Sequence, residues 1–192
     1  MIPVGFAEIA KKVVEKTSKE LPNFAKKIKP EAIRTFSEAD KALNLPINET
    51  DGIKKIKTIN ENLEGKTSEK HNVPFEKKIV KNENNEPVEV VVPKFESTHD
   101  VKLPKDLESA SDRKQFKHCN SDLKEKISFD PSLKDKFTPV QLEQIENNLT
   151  PDGYTWHHDA EKGKMQLVNS DIHSEVRHTG GRNIWGGGTN NR

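Results

Sequence analysis

Tyr154-Thr155-Trp156-His157-His158-Asp159, followed by Gly163-Lys164-Met165-Gln166-Leu167-Val168, Ser170-Asp171-Ile172-His173 and His178-Thr179-Gly180-Gly181, is the stretch that decides the fold. Asp152-Gly153 is a turn signal, and the β-branched and aromatic residues after it read as a strand over 154–159. Gly163 marks a second turn, and 164–168 a second strand. Asn169 or Ser170 then serves as the N-cap of a short helix. The result is a strand-strand-helix unit over 153–181, and four of the chain's seven histidines lie in it.

Geometry limits what those histidines do. Adjacent strand residues point to opposite faces, so His157 and His158 do not both bind one ion in the same way. One faces the helix, where it meets His173, and the other faces a substrate. His178, five residues beyond His173, falls at or just past the helix end, with Gly180-Gly181 letting the chain turn. Three neutral imidazoles and an open position describe a catalytic metal site. A closed structural zinc site needs a fourth ligand, often cysteine, and leaves the second strand histidine without a task. That histidine is placed to act as a general base on water, because an imidazole titrates near neutrality. A divalent ion beside it stabilises charge on a phosphate oxygen and on the leaving oxygen, which together are the parts of phosphodiester hydrolysis.

Outward from this unit the pattern is mixed. Thr138-Pro139-Val140-Gln141 is a helix start with a capping box, and the helix carries Leu142, Ile145 and Leu149. Phe116, Cys119, Leu123 and Ile127 fall three and four apart, an apolar stripe on a helix beginning near Ser109. Lys78-Ile79-Val80 and Val88-Glu89-Val90-Val91-Val92 flank an Asn-rich turn and predict a hairpin. Pro93 and Pro104 bound an extended stretch containing Phe95. Toward the N-terminus, residues 4–20, 31–43 and 53–63 predict amphipathic helices. A composition shift near residue 66 separates a helical N-terminal or linker region, 1–65, from a C-terminal domain, 66–192. The fold class is α+β, with preceding helices and a β-hairpin joined to the C-terminal unit.

Composition excludes several classes. Apolar residues make up 31% of the 192 and charged ones 33%, lean against the roughly 45% apolar of an ordinary globule. With 32 Lys and Arg against 31 Asp and Glu, no global basic field exists, and any nucleic-acid site is a local patch. Cys119 is the single cysteine, so neither a disulfide framework nor a thiolate zinc site is available. Its place on the apolar stripe makes it a buried hydrophobe. No apolar run reaches membrane-spanning length, so no stable membrane insertion is expected. Met1-Ile2-Pro3-Val4-Gly5-Phe6, leading into Lys11 and Lys12, is not a secretory signal pattern.

Tyr154-Thr155-Trp156-His157-His158, Met165-Gln166-Leu167-Val168, Ile172-His173 and His178-Thr179-Gly180-Gly181 together resemble the WHH-type branch of the HNH/endonuclease VII superfamily. That branch includes the colicin-like DNase/tRNase domains at the C-termini of bacterial polymorphic toxins. Softer likenesses lie upstream, in Val73-Pro74-Phe75-Glu76-Lys77-Lys78, Phe95-Glu96-Ser97, Phe116-Lys117-His118-Cys119-Asn120 and Thr150-Pro151-Asp152-Gly153, so the resemblance covers about 60–188. It implies a ββα-metal (HNH-type, His-Me finger) nuclease core. His157, His173 and His178 match the metal ligands, and His158 matches the general base. Gln166 takes the place of the central Asn that braces the loop between the strands, and Trp156 is a packing residue. The helix-side histidines are five apart where the colicin pattern has four, and Arg177 stands where this branch has Gly.

The function this resemblance implies is an endonuclease toxin using one divalent metal ion (Zn²⁺, Mg²⁺ or Ni²⁺). It would hydrolyse DNA in a target cell's cytoplasm after delivery or secretion, serve interbacterial competition, and be neutralised by a cognate immunity protein. Beside such a site Lys162, Lys164, Arg177 and Arg182 form a candidate backbone-binding patch. Two other readings compete: an RNase or tRNase toxin of the same fold, and a non-catalytic zinc-stabilised nucleic-acid-binding module.

Overall fold

The computed structural model describes residues 52–188, which belong to one compact unit. The helices expected over 4–20 and 31–43 lie outside the described residues. The architecture is α+β, with two three-stranded sheets among the described residues. β1 (Lys54–Lys55), β2 (Phe75–Lys81) and β3 (Pro87–Pro93) form the first, in the order β1-β3-β2. β2 and β3 are the expected hairpin, antiparallel from Phe75↔Pro93 to Lys81↔Pro87. Asn82 closes its turn, accepting at Oδ1 from the backbone N–H groups of Asn84 and Glu86 at 2.9 Å each. Asn85 adopts φ 64, a left-handed conformation that asparagine tolerates.

The second sheet holds β4 (His99–Lys102), β5 (Tyr154–His158) and β6 (Lys164–Asn169) in the order β4-β6-β5, all antiparallel. The motif predicts two strands here. The third is β4, drawn from the extended Pro93–Pro104 stretch and anchored by buried Val101 and Leu103. Between β4 and β5 in sequence come α1 (Asp112–Phe129), α2 (Pro131–Lys134) and α3 (Pro139–Glu146). α3 starts on the expected capping box: Thr138 Oγ1 accepts from Gln141 N at 3.3 Å, and Gln141 Oε1 accepts from Thr138 N at 2.9 Å. After β6 follow α4 (Ser170–Glu175), capped by Asn169 Oδ1 accepting from Ile172 N at 2.9 Å, and α5 (Gly181–Ile184).

The helix expected over 53–63 does not form. Lys54–Lys55 instead add a parallel strand to β3, and Glu61–Leu63 make one 3₁₀ turn. The segment carries Ile53, Ile56, Thr58 and Ile59, whose branched side chains suit extended backbone, and tertiary partners draw it out. Thr58 Oγ1 donates to Val91 O at 2.6 Å, Ile59 N donates to Thr179 Oγ1 at 3.0 Å, and Asn60 Nδ2 donates to Arg177 O at 2.6 Å. Asn60, at φ 64, ends any helical course.

β3 and β6 carry apolar residues on both faces and so divide the interior in two. Val88, Val90 and Val92 pack with Met165, Leu167 and Trp156 beneath α1. Val91, Phe75, Phe95, Val168 and Val176 form a smaller cluster on the opposite side. α1 buries Gln115, Cys119 and Leu123 at four-residue spacing, with Phe116 and Ile127 half-buried beside them. Burial pushes the Cys119 thiol up to about 12, with Asp122 adding to the effect, so it serves as packing. Asn120 ties α1 to β5. Its Oδ1 accepts from Trp156 Nε1 at 2.7 Å and from Thr150 Oγ1 at 3.1 Å, and its Nδ2 donates to Asn148 O at 3.0 Å. Trp156 is thereby a buried packing residue, as expected.

Candidate metal centre

Strand alternation does at β5 what it must. His157 pairs across the sheet with Gln166, while His158 pairs with Met165 of the larger core. The two histidines therefore leave β5 on opposite faces. On the side of His157, α4 brings up His173, and the chain past the helix end brings up His178. One ligand atom from each of the three lies within 4.8 Å of the others. His157 Nδ1 and His173 Nε2 are 3.1 Å apart. Two nitrogens on a tetrahedral zinc are about 3.3 Å apart, given Zn–N bonds of about 2.0–2.1 Å, so this spacing already matches a shared ion.

Hydrogen bonding and burial prepare the same donors. His178 Nδ1–H donates to Val176 O at 2.7 Å, which fixes the ring and directs Nε2 inward in the manner of a metal-bound imidazole. The five-residue step from His173 to His178 costs nothing, because α4 ends at Glu175 and Val176 is already extended. Phe95 covers the cluster, its ring centroid 4.9 Å from His157, 5.4 Å from His173 and 5.1 Å from His178. Burial, reinforced by His178, His173 and other neighbouring charge, holds His157 well below its ordinary value. Burial and then His178 push His173 down to about 4, and burial lowers His178. All three are thus neutral imidazoles at physiological pH, the form that binds a metal. Among the described residues the group consists of these three histidines. The donor set fits a divalent ion.

These lowered values set a direction for stability. An unfolded histidine takes up a proton below about 6.5 that the folded cluster refuses, so metal-free stability is complete above that pH. It falls as the pH drops through 6.5 toward about 4, where His173 itself protonates. Thermal melts of EDTA-treated protein should show a midpoint that declines across this window. A flat profile would contradict the buried, neutral triad.

The remaining residues singled out in the motif are dispersed. His158 is buried beneath α1, with Nε2 2.7 Å from Gln115 Oε1 and 3.7 Å from Asp112 Oδ1. Gln166 lies on the His157 face but donates to Asp100 Oδ1 of β4 at 3.2 Å, so it braces β4 rather than the loop between the strands. Arg177 is exposed. Lys164 pairs with Asp100 Oδ2 at 3.0 Å, and Lys162 donates to Glu83 O at 3.0 Å and Asn85 Oδ1 at 2.9 Å. Arg182 departs from the expected surface patch. It is 5% exposed, donating to Ala110 O at 3.0 Å and pairing with Asp112 at 3.2 Å. Its guanidinium is consumed by the interior.

Sequence reasoning missed Gln115 and Asp112, although a glutamine four residues before Cys119 on a buried stripe is a readable sign. It also missed the covering role of Phe95, for which the sequence holds no signal beyond the aromatic itself. Beside the triad, a cleft of about 460 Å³ runs between Asn72, Lys94, Phe95, Tyr154, Val168 and Ile172. It mixes apolar walls with one cation, Lys94, and one carboxylate, Glu96.

A family model describing the DNase/tRNase domain of colicin-like bacteriocins matches residues 84–180, just over half of the chain. The match begins within the hairpin turn and takes in β3, α1, both motif strands and all four motif histidines. No curated protein and no solved structure matches the chain.

Proposed function

The chain belongs to the family of DNase/tRNase domains of colicin-like bacteriocins, and on that premise we propose that it is a metal-dependent endonuclease of the HNH kind, cutting DNA in a target cell. Three converging imidazoles carry this reading. His157, His173 and His178 would hold the ion, and Zn²⁺, Mg²⁺ and Ni²⁺ are the candidates. When bound, a divalent ion polarises a phosphate oxygen and neutralises charge on the leaving oxygen.

The chain's own residues supply the rest. His158, at the end of the strand that carries His157, accepts a proton from the attacking water. Gln166 keeps β4 in register beside the site through Asp100. Phe95 seals one side of the triad. Arg177 is exposed and Lys94 lines the neighbouring cleft, so both are available to backbone phosphates. Lys162 and Lys164 are held elsewhere, Lys162 by Glu83 O and Asn85 Oδ1 and Lys164 by Asp100. No helix of the described residues is long and apolar enough to cross a membrane. As a toxin used between bacteria, the protein would be delivered or secreted, would act in the target cytoplasm, and would need a cognate immunity protein in its producer.

The family description names tRNase as well as DNase activity, so the test runs both substrates in parallel. Purified protein should nick supercoiled plasmid when given Zn²⁺, Mg²⁺ or Ni²⁺ and should stop when EDTA is added. Cleavage of total tRNA with plasmid left intact would move the target to RNA. Tight metal binding without cleavage of either substrate would leave only a zinc-stabilised binding module.

A further inference from the structure

Of the three converging histidines, His178 has the least secondary structure behind it. His157 stands in β5 and His173 in α4, whereas α4 ends at Glu175 and α5 begins only at Gly181. Among the described residues Arg177, His178 and Thr179 take part in no backbone–backbone hydrogen bond. The His178 ring is tied to Val176 O, but the chain that carries it is fastened on both sides by one distant segment. Asn60 Nδ2 donates to Arg177 O at 2.6 Å and Ile59 N donates to Thr179 Oγ1 at 3.0 Å, across 117 and 120 residues of sequence. That segment is moored to the first sheet at either end. Ile56 N donates to Glu89 O at 2.9 Å and Thr58 Oγ1 to Val91 O at 2.6 Å before it, and Gly65 N donates to Phe75 O at 3.0 Å after it. Leu63 packs in the same apolar cluster as Val176. Asn60 makes its turn at φ 64, a left-handed conformation open to asparagine and glycine.

We infer that residues 56–65 form a strap that positions His178 for metal binding, with Asn60 and Thr179 as the positioning residues. The first sheet, through this strap, sets the place of the third ligand, so the metal centre draws on residues upstream of the matched 84–180. The physical gain is order established before the ion arrives, because a ligand already in place gives up less conformational freedom on binding. This deepens the nuclease reading and rests on the triad being its metal site.

The test needs no catalysis. EDTA-stripped full chain is titrated with Zn²⁺ in competition with a chromogenic chelator. Thr179→Val keeps the shape of the side chain and loses the acceptor, and Thr179→Ser keeps the acceptor. Asn60→Gly keeps access to the left-handed backbone and loses the amide. Thr179→Val and Asn60→Gly should each weaken Zn²⁺ binding by about tenfold, while Thr179→Ser restores most of it. The metal-free thermal midpoint should stay within a few degrees of wild type. In a His178→Ala background the same two changes should have no further effect on zinc affinity, because the group they position is gone. An equal fall in both backgrounds would mean a general loosening of the domain and would overturn the inference. Wild-type affinity in both single variants would overturn it too, with the triad itself left standing. If Asn60→Gly does not fold, the Thr179 pair decides alone. A wild-type chain that takes up no Zn²⁺ would remove the triad as a metal site, and the strap's role with it.

Discussion

Gly181→Ala is expected to lower the thermal midpoint by about 10 °C, corresponding to roughly 3 kcal/mol lost in a domain of this size. A Cβ at this position would stand 1.9 Å from Asp159 O, 2.3 Å from Trp185 Nε1 and 2.9 Å from Asp159 C. These are backbone atoms and a buried indole, not the tips of flexible side chains. The Trp185 Nε1–H donates to that same Asp159 oxygen at 2.8 Å, so relieving the clash means breaking the bond that holds α5 against the end of β5. The ordinary benefit of Ala over Gly in a helix, about 0.5–1 kcal/mol, does not offset it. Gly180→Ala is the control. Its Cβ would meet His158 O at 3.4 Å, His178 Nε2 at 3.6 Å and His157 Cε1 at 3.7 Å, which are ordinary contacts. That variant should melt close to wild type. Equal melting of the two variants would show that the close approach at Gly181 is not a constraint.

The same glycine shows what in the fold was legible beforehand. A Gly-Gly pair after His178 reads as a place where the chain turns, and it does turn there. That one glycine is required by the proximity of Asp159 and Trp185 depends on contacts no local pattern encodes. Elements whose signals are local came through intact: the Thr138 capping box, the hairpin around Asn82–Asn85 and the Asn169 cap. Elements set by distant partners did not. The segment 53–63 has helical spacing, yet the open edge of β3 and the carbonyls of Val91 and Arg177 claim it. β4 was read only as extended chain, because its pairing with β6 spans about sixty residues of sequence.

At the candidate site the division runs along the same line. The triad was legible because His157, His173 and His178 sit inside one short supersecondary unit, where strand alternation and helix length determine who meets whom. The charged residues around it were not. Arg182 has the sequence appearance of a surface cation, and it is buried only because α1 supplies Asp112, Gln115 and the Ala110 carbonyl. Charge proximity in sequence did not translate into a shared surface.

His157 and His158 are adjacent, chemically identical and predicted to fail in different ways, which makes them the most discriminating pair in the chain. His157→Ala removes one of three converging nitrogens, so metal affinity should fall by about 10²-fold or more, and cleavage with it. High metal concentration should then restore part of the activity. His158→Gln leaves the triad on the other face of β5 untouched and keeps a polar group toward Gln115, but it has no basic nitrogen. It should bind metal as wild type does, melt within a few degrees of it, and cleave about 10²–10⁴-fold more slowly. No metal concentration should rescue it. Metal content by mass spectrometry and single-turnover cleavage separate the two failures. If His158→Gln cleaves at the wild-type rate, His158 is a core residue fastened to Gln115, and the base must be sought elsewhere. If it instead loses the metal, the alternation of β5 has been misread as a division of labour.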